Sequence, residues 1–132
     1  MKIIIVGVGR VGARLANVLD ADHDVTVVDV DDFAFRRLSA SFRGVAVRGN
    51  GIDVDTLRAA GAADADILLS LTNGDNRNLM AAQVAKYVLG IPKVVARVYD
   101  PARAAIFRDM GLETISPTIN GVERLYSRIV GA

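Results

Sequence analysis

The chain has 132 residues, 52% hydrophobic and 23% charged, with a formal net charge of +1 and no cysteine. That length makes one domain, and the apolar share fits a buried sheet and excludes a disordered segment. The near-neutral balance gives no basis for nucleic-acid binding, the lack of cysteine excludes disulfides and thiolate zinc sites, and no apolar run reaches the ~18 residues of a membrane span.

From the N-terminus, strand-like apolar runs alternate with helical patterns, which predicts βαβ units and a parallel sheet. Strands are expected near 2–6, 24–28, 44–48, 65–71, 93–98 and 112–116, and helices near 10–21, 31–41, 54–60, 75–89, 101–110 and 119–130. The first strand feeds into Gly7-Val8-Gly9-Arg10-Val11-Gly12, and the second, Val25-Thr26-Val27-Val28, ends at Asp29. A G-x-G-x-x-G turn between strand and helix, with an acid about 20 residues on, is the pattern of a dinucleotide-binding βαβ unit. Gly7 permits the tight turn, Gly9 lets a pyrophosphate approach the backbone, and Gly12 lets the helix pack closely. The phosphates then meet a helix N-terminus, whose N–H groups and dipole favour negative charge. Asp29 would accept both ribose hydroxyls of an adenine nucleotide and repel a 2′-phosphate, with Arg36 or Arg37 as the nearby counterweight. Right-handed crossovers give an α/β, Rossmann-type doubly wound parallel sheet of about six strands in the order 3-2-1-4-5-6.

In the second helix Phe33, Phe35, Leu38 and Phe42 fall at mixed helical spacing with Arg36 and Arg37 turned outward, while Asp31 and Asp32 mark its start. Arg10 either reaches over the glycine turn to the phosphates or is an exposed first-turn arginine. The turn Arg48-Gly49-Asn50-Gly51-Ile52-Asp53 either brings backbone close to an adenine ring or makes a tight connection. After strand four, Thr72-Asn73-Gly74-Asp75-Asn76-Arg77-Asn78 is a polar loop entering a helix across the cleft. Thr72 and Asn73 are candidates for phosphates or a nicotinamide ribose, and Gly74 and Asp75 for a cap. The helix that follows carries Leu79, Ala82, Ala85, Lys86 and Leu89 on one side and stops at Gly90-Ile91-Pro92. Arg97 is a charge in an apolar strand and needs a partner, either an acid or the ligand. In the last helix Ile119, Val122, Leu125, Tyr126 and Ile129 form an apolar stripe opposite Glu123, Arg124 and Arg128, which calls for a covering surface. His23, the one histidine, lies in a turn, and none of Tyr87, Tyr99 and Tyr126 has a lysine four residues on. The sequence thus offers a cofactor seat with no catalytic residue and no metal-ligand cluster.

The glycine motif, Asp29, Leu57-Arg58-Ala59-Ala60-Gly61 and Ala65-Asp66-Ile67-Leu68-Leu69-Ser70-Leu71-Thr72 together resemble the N-terminal lobe of the RCK or KTN (TrkA N-terminal) domain. The resemblance continues through Asp75-Asn76-Arg77-Asn78-Leu79, Ala96-Arg97-Val98 and Gly111-Leu112-Glu113-Thr114-Ile115-Ser116-Pro117. It implies a non-enzymatic regulator of Trk or Ktr potassium uptake systems or potassium channels that binds NAD(H) or ADP/ATP. Such a protein would be cytoplasmic and peripheral to the inner membrane, held by a membrane-embedded potassium transporter or channel subunit, with no insertion of its own and a homodimer or larger ring as its assembly. Carried over, Gly7, Val8, Gly9, Arg10, Val11 and Gly12 line the phosphate turn and Asp29 holds the ribose. Val30, Asn50, Gly51, Thr72 and Asn73 complete the site, with Arg97 near its floor.

Residues 1–132 would be a single nucleotide-binding lobe, with 118–132 as the crossover or dimerisation helix. Two positions depart from the family pattern. Gly49-Asn50-Gly51 stands where relatives read Gly-Asp and a small residue, which weakens the case for adenine selectivity, and Thr118 replaces an acid, which weakens that for a metal site at the subunit junction. The chain ends near the helix that crosses to a second lobe, so it is expected to be either a cut piece or a minimal regulator without a second-lobe ligand site. A small NAD-dependent oxidoreductase and an assembly module with a vestigial nucleotide site share the same glycine pattern.

Overall fold

The computed structural model describes residues 1–131. Strands β1 (Lys2–Val6), β2 (Asp24–Asp29), β3 (Val45–Arg48), β4 (Ile67–Ser70), β5 (Lys93–Arg97) and β6 (Glu113–Ile115) form one parallel sheet in the order β3-β2-β1-β4-β5-β6. The expected order and class both hold. In β1, alternate side chains serve opposite faces, so a central strand buried on both sides must be apolar throughout. Ile3 and Ile5 pack with Val25, Val27, Ala13 and Ala16 under α1 (Arg10–Leu19). Ile4 and Val6 join Leu57, Leu79, Ala82 and Ala104 from α2 (Val54–Ala59), α3 (Asp75–Gln83) and α4 (Pro101–Asp109) on the other face. The strands are added outward from β1 in one direction as far as β3 and in the other from β4, and this switch between β1 and β4 opens a crevice at their carboxyl ends.

Three elements differ from expectation. The segment near 31–41 is a 3₁₀ helix at Asp32–Arg37, capped by Asp31, whose carboxylate accepts from Phe33 N. Its three-residue period puts Phe35 and Leu38 together on the core, and the Asn17 side chain then takes Ser39 N and stops the helix. The helix near 75–89 is α3 followed by a π-helical turn at Val84–Val88. The wider turn brings Lys86 Nζ to the Gly111 carbonyl and Tyr87 OH to the Met110 carbonyl at 2.7 Å, tying this end to the end of α4. The last helix, α5 (Pro117–Val130), starts two residues early because Ser116 caps it, accepting from Ile119 N at 3.3 Å, with Pro117 at its first position.

None of α5 is buried, and Leu125 and Ile129 are 65% and 81% exposed. The earlier helices also leave an opening. On the α1 side of the sheet Ile67, Leu69 and Val95 are half-buried, and Ile115, in register with Arg97, is exposed. The stripe on α5 therefore exists and does not close on its own sheet. Among the described residues no helix is long and apolar enough to cross a membrane.

Candidate functional site

The crevice is a cavity of about 300 Å³ bounded by the carboxyl ends of β1, β2, β3 and β4, the start of the 3₁₀ helix and the first turns of α3. Its glycines have separate reasons to be glycine. Gly7 has φ +100°, and a Cβ there would stand 2.7 Å from Thr72 N, so both the left-handed turn and the approach of β4 require it. A Cβ at Gly12 would collide with the Gly7 carbonyl oxygen, so the first turn of α1 lies directly on the glycine turn. Gly9 is different: its φ is an ordinary −83° and nothing lies within 4 Å of a Cβ built there. The chain itself has no need of glycine at that position, whereas a ligand lying on the backbone does.

Gly9 is also the N-cap of α1 and provides no side-chain cap, and the intrahelical bonds begin only at Ala13 N. The amides of Arg10, Val11 and Gly12 are thus left for an anion, and no acid in the first turn competes. Beside them, Asp29 Oδ2 accepts from Val8 N and Oδ1 from Asp31 N, both at 2.9 Å. The carboxylate is held by two amides at the cavity wall with lone pairs left on each oxygen, the equipment needed to receive hydroxyl donors. Gly51 is buried against Val6, which sets the β3 turn on the cavity, and the Asn50 side chain accepts from Ile52 N at 3.1 Å.

The opposite wall rests on a buried amide. Asn78 is fully buried; its Oδ1 accepts from Thr72 N at 2.8 Å, Thr72 Oγ1 at 2.6 Å and Ser70 Oγ at 3.2 Å. Its Nδ2 donates to the carbonyls of Thr72 and Arg97, both at 2.8 Å. Arg97, only 7% exposed, finds neither an acid nor the cavity. Its Nη2 donates to the Leu71 carbonyl at 2.6 Å and the Thr72 carbonyl at 3.1 Å, and its guanidinium lies over the Tyr99 ring at 5.1 Å. The partner expected for this buried charge is therefore the backbone end of β4, which it holds from beneath.

Gly7, Val8, Gly9, Asp29, Val30, Asn50, Gly51, Thr72 and Asn73 all line the cavity. Arg10 and Val11 begin α1 as exposed residues outside the lining, Gly12 lies beneath the turn, and Arg97 lies beneath β4. Among the lining residues that were not expected in the site, two are cationic. Arg37, expected to turn outward, points in and donates from Nη1 to the Val8 carbonyl at 3.2 Å; the 3₁₀ period changes its phase from that of an α-helix. Arg77, in the first turn of α3, folds back beside Gly74 and lines the far side. Its place in a helix start at the carboxyl end of β4 was a usable signal. Gly74 is the N-cap of α3, but Asp75 does not cap it; the carboxylate accepts from Tyr99 N and Asp100 N at 2.8 and 3.0 Å. Among the described residues no cluster of His, Asp and Glu is placed to hold a metal ion.

Comparison with known proteins fits this geometry. The TrkA-N domain model matches residues 3–117. The "Trk system potassium uptake protein TrkA" of Streptomyces coelicolor is 41% identical over 131 residues, 98% of this chain and 59% of that protein, so the chain spans less than two thirds of its relative. Among solved structures, the Shewanella denitrificans Kef C-terminal domain in its AMP-bound form superposes with a TM-score of 0.82 at 22% identity, covering 99% of this chain and 80% of that one. GsuK bound to ADP gives a TM-score of 0.77 at 23% identity, covering 96% and 33%. The glycine turn, the anchored acid and a family match over nearly the whole sheet agree, and the chain belongs to the TrkA-N domain family.

Proposed function

We propose that this chain is the nucleotide-sensing lobe of a regulatory subunit of a potassium transport system, binding NAD(H) or ADP/ATP. The observation that carries the proposal is the pairing of uncapped amides at the start of α1 with the Asp29 carboxylate, across a backbone that Gly9 leaves bare. Phosphates seat on the N–H groups of Arg10, Val11 and Gly12, and ribose hydroxyls donate to Asp29. Val30 and the Asn50-Gly51 turn flank the nucleoside. Thr72 and Asn73 face it from the loop after β4, with Arg97 holding the Leu71 and Thr72 carbonyls from below.

The chain acts as a binding module, not an enzyme, and is a single lobe whose residues 118–132 serve assembly. A second copy lays its α5 stripe on the open α1-side face of β4–β6, giving a homodimer or larger ring. Nucleotides that bind two arrangements of that assembly unequally shift its equilibrium and, through it, that of a membrane-embedded potassium transporter or channel subunit. This places the chain in the cytoplasm at the inner membrane. The TrkA relationship and the AMP- and ADP-bound neighbours support this reading.

Calorimetric titration with NAD+, NADH, ADP and ATP, together with mass spectrometry of nucleotide co-purified with the folded chain, tests it. Binding that is weakened in Asp29→Ala is the expected result. No binding of any of the four at millimolar concentration overturns the sensor. Steady turnover of NADH with a simple carbonyl substrate would make the chain an oxidoreductase.

A further inference from the structure

We infer that the cavity takes a nucleoside di- or triphosphate in preference to a dinucleotide, and that Arg77 sets this preference. The inference rests on the nucleotide reading above and narrows it. A dinucleotide in a doubly wound sheet lies across the crevice, with one nucleoside on each half of the fold. Here the cavity lining comes from the ends of β1, β2 and β3, the end of β4 and the start of α3, and it includes nothing from β5 onward.

On that far side α3 is tied to the loop between β5 and α4. Asp75 at the start of α3 accepts from Tyr99 N at 2.8 Å and Asp100 N at 3.0 Å, a clasp at the surface beside the cavity. Tyr99 in turn lies against the Arg97 guanidinium. A second nucleoside would have to displace this clasp, whereas a short chain of phosphates ends before reaching it.

The charges favour phosphate at that end. Two cations line the cavity, Arg37 by the glycine turn and Arg77 by the β4–α3 loop, and neither makes a salt bridge among the described residues. Among the described residues the one protein acceptor of the Arg37 side chain is the Val8 carbonyl, at the residue whose N–H is held by Asp29, so Arg37 belongs to the ribose end. Arg77 stands at the other end. Its Nε lies 3.2 Å from where a Cβ of Gly74 would be, and the ordinary φ of −106° at Gly74 sets no requirement for glycine; the missing side chain is what gives the guanidinium room to fold over the loop. An unpaired planar fork beside the phosphate path is suited to a terminal phosphate and unsuited to an uncharged or cationic nicotinamide riboside.

Titration calorimetry of the 132-residue chain with AMP, ADP, ATP, NAD+ and NADH tests the inference. ADP and ATP should bind roughly ten-fold or more tightly than NAD+ and NADH. Arg77→Ala should weaken ADP and ATP about ten-fold while AMP and NAD+ change less than about two-fold, and Arg77→Lys, which keeps the charge but not the fork, should fall between. A dinucleotide that binds as tightly as ADP, or an Arg77→Ala variant that affects AMP and ATP alike or neither, overturns the inference. Asp29→Ala separates the two levels. Nucleotide binding that depends on Asp29 but favours NAD+ removes the polyphosphate preference and keeps the site, whereas no binding by any of the five removes both.

Discussion

Truncating Asp29 should damage the empty protein as well as the liganded one. In Asp29→Ala two hydrogen bonds from backbone amides to a carboxylate disappear, from Val8 N and Asp31 N, both at 2.9 Å. Asp31 is exposed, so water replaces that partner at little cost. Val8 is fully buried, and its amide is left without an acceptor, which costs about 1–3 kcal/mol. At about 3–5 °C per kcal/mol for a domain of this size, the melting temperature without ligand should fall by roughly 3–15 °C. Nucleotide affinity should fall by a further 1–3 kcal/mol, roughly 5- to 150-fold, from lost ribose contacts. Calorimetric melting and titration of the same preparation separate the two effects. A variant that melts within about 2 °C of the parent would show that the carboxylate does not hold the glycine turn, and the geometry assigned to Asp29 would be wrong.

Gly9→Ala and Gly12→Ala should split cleanly in melting and titration experiments. Gly9→Ala, with nothing within 4 Å of its Cβ, should retain stability to within about 1 kcal/mol and lose nucleotide, while Gly12→Ala, driven onto the Gly7 carbonyl, should lose about 2 kcal/mol or more. Asn78→Asp replaces a donor to two carbonyls with an oxygen in a fully buried position, and urea denaturation should show a loss of about 3 kcal/mol or more; an unchanged midpoint would refute the network. Leu125→Asp with Ile129→Asp should convert a sedimenting dimer to monomer without changing the monomer's far-UV spectrum, since both side chains are exposed within one chain. A parent that sediments as a monomer at high concentration, with and without nucleotide, would refute assembly through α5.

The first βαβ unit was legible because its signals are local. Gly7, Gly9, Gly12 and Asp29 are read from spacing alone, and the turn geometry each demands is fixed by its immediate neighbours. Arg37 was hidden for a reason equally local: Phe33, Phe35, Leu38 and Phe42 fit an α-helix poorly, and only the 3₁₀ period that Asp31 starts turns the arginine inward. Arg97 and Asn78 were hidden for a non-local reason. That a strand arginine is satisfied by the carbonyls of Leu71 and Thr72, and a helix asparagine by Thr72 and the Arg97 carbonyl, depends on which strands lie side by side, information that no single segment carries. Asp75 likewise reads as a helix-start acid, and its amide partners, Tyr99 and Asp100, are 24 and 25 residues away.

Those same long-range bonds give a ligand at the crevice a mechanical route to α5. All six strands are parallel, so the cavity and the start of α5 lie on one edge of the sheet. Thr72 at the cavity wall is bonded to Asn78; Asn78 donates to the Arg97 carbonyl at the end of β5; and the next residue, Val98, donates its N–H to the carbonyl of Ile115 at the end of β6. Ser116, the cap of α5, follows directly. A ligand that shifts the Thr72 backbone thus acts on a hydrogen-bonded row of strand ends and not on soft side-chain packing, and α5 is rooted in that row. The row transmits a displacement only if α5 has two seats to choose between, and within one chain it has none, because no residue of it is buried. If the chain switches as proposed, the switch belongs to an assembly in which α5 is covered, and a nucleotide that favours one seat must by linkage be bound more tightly by the assembly that has it.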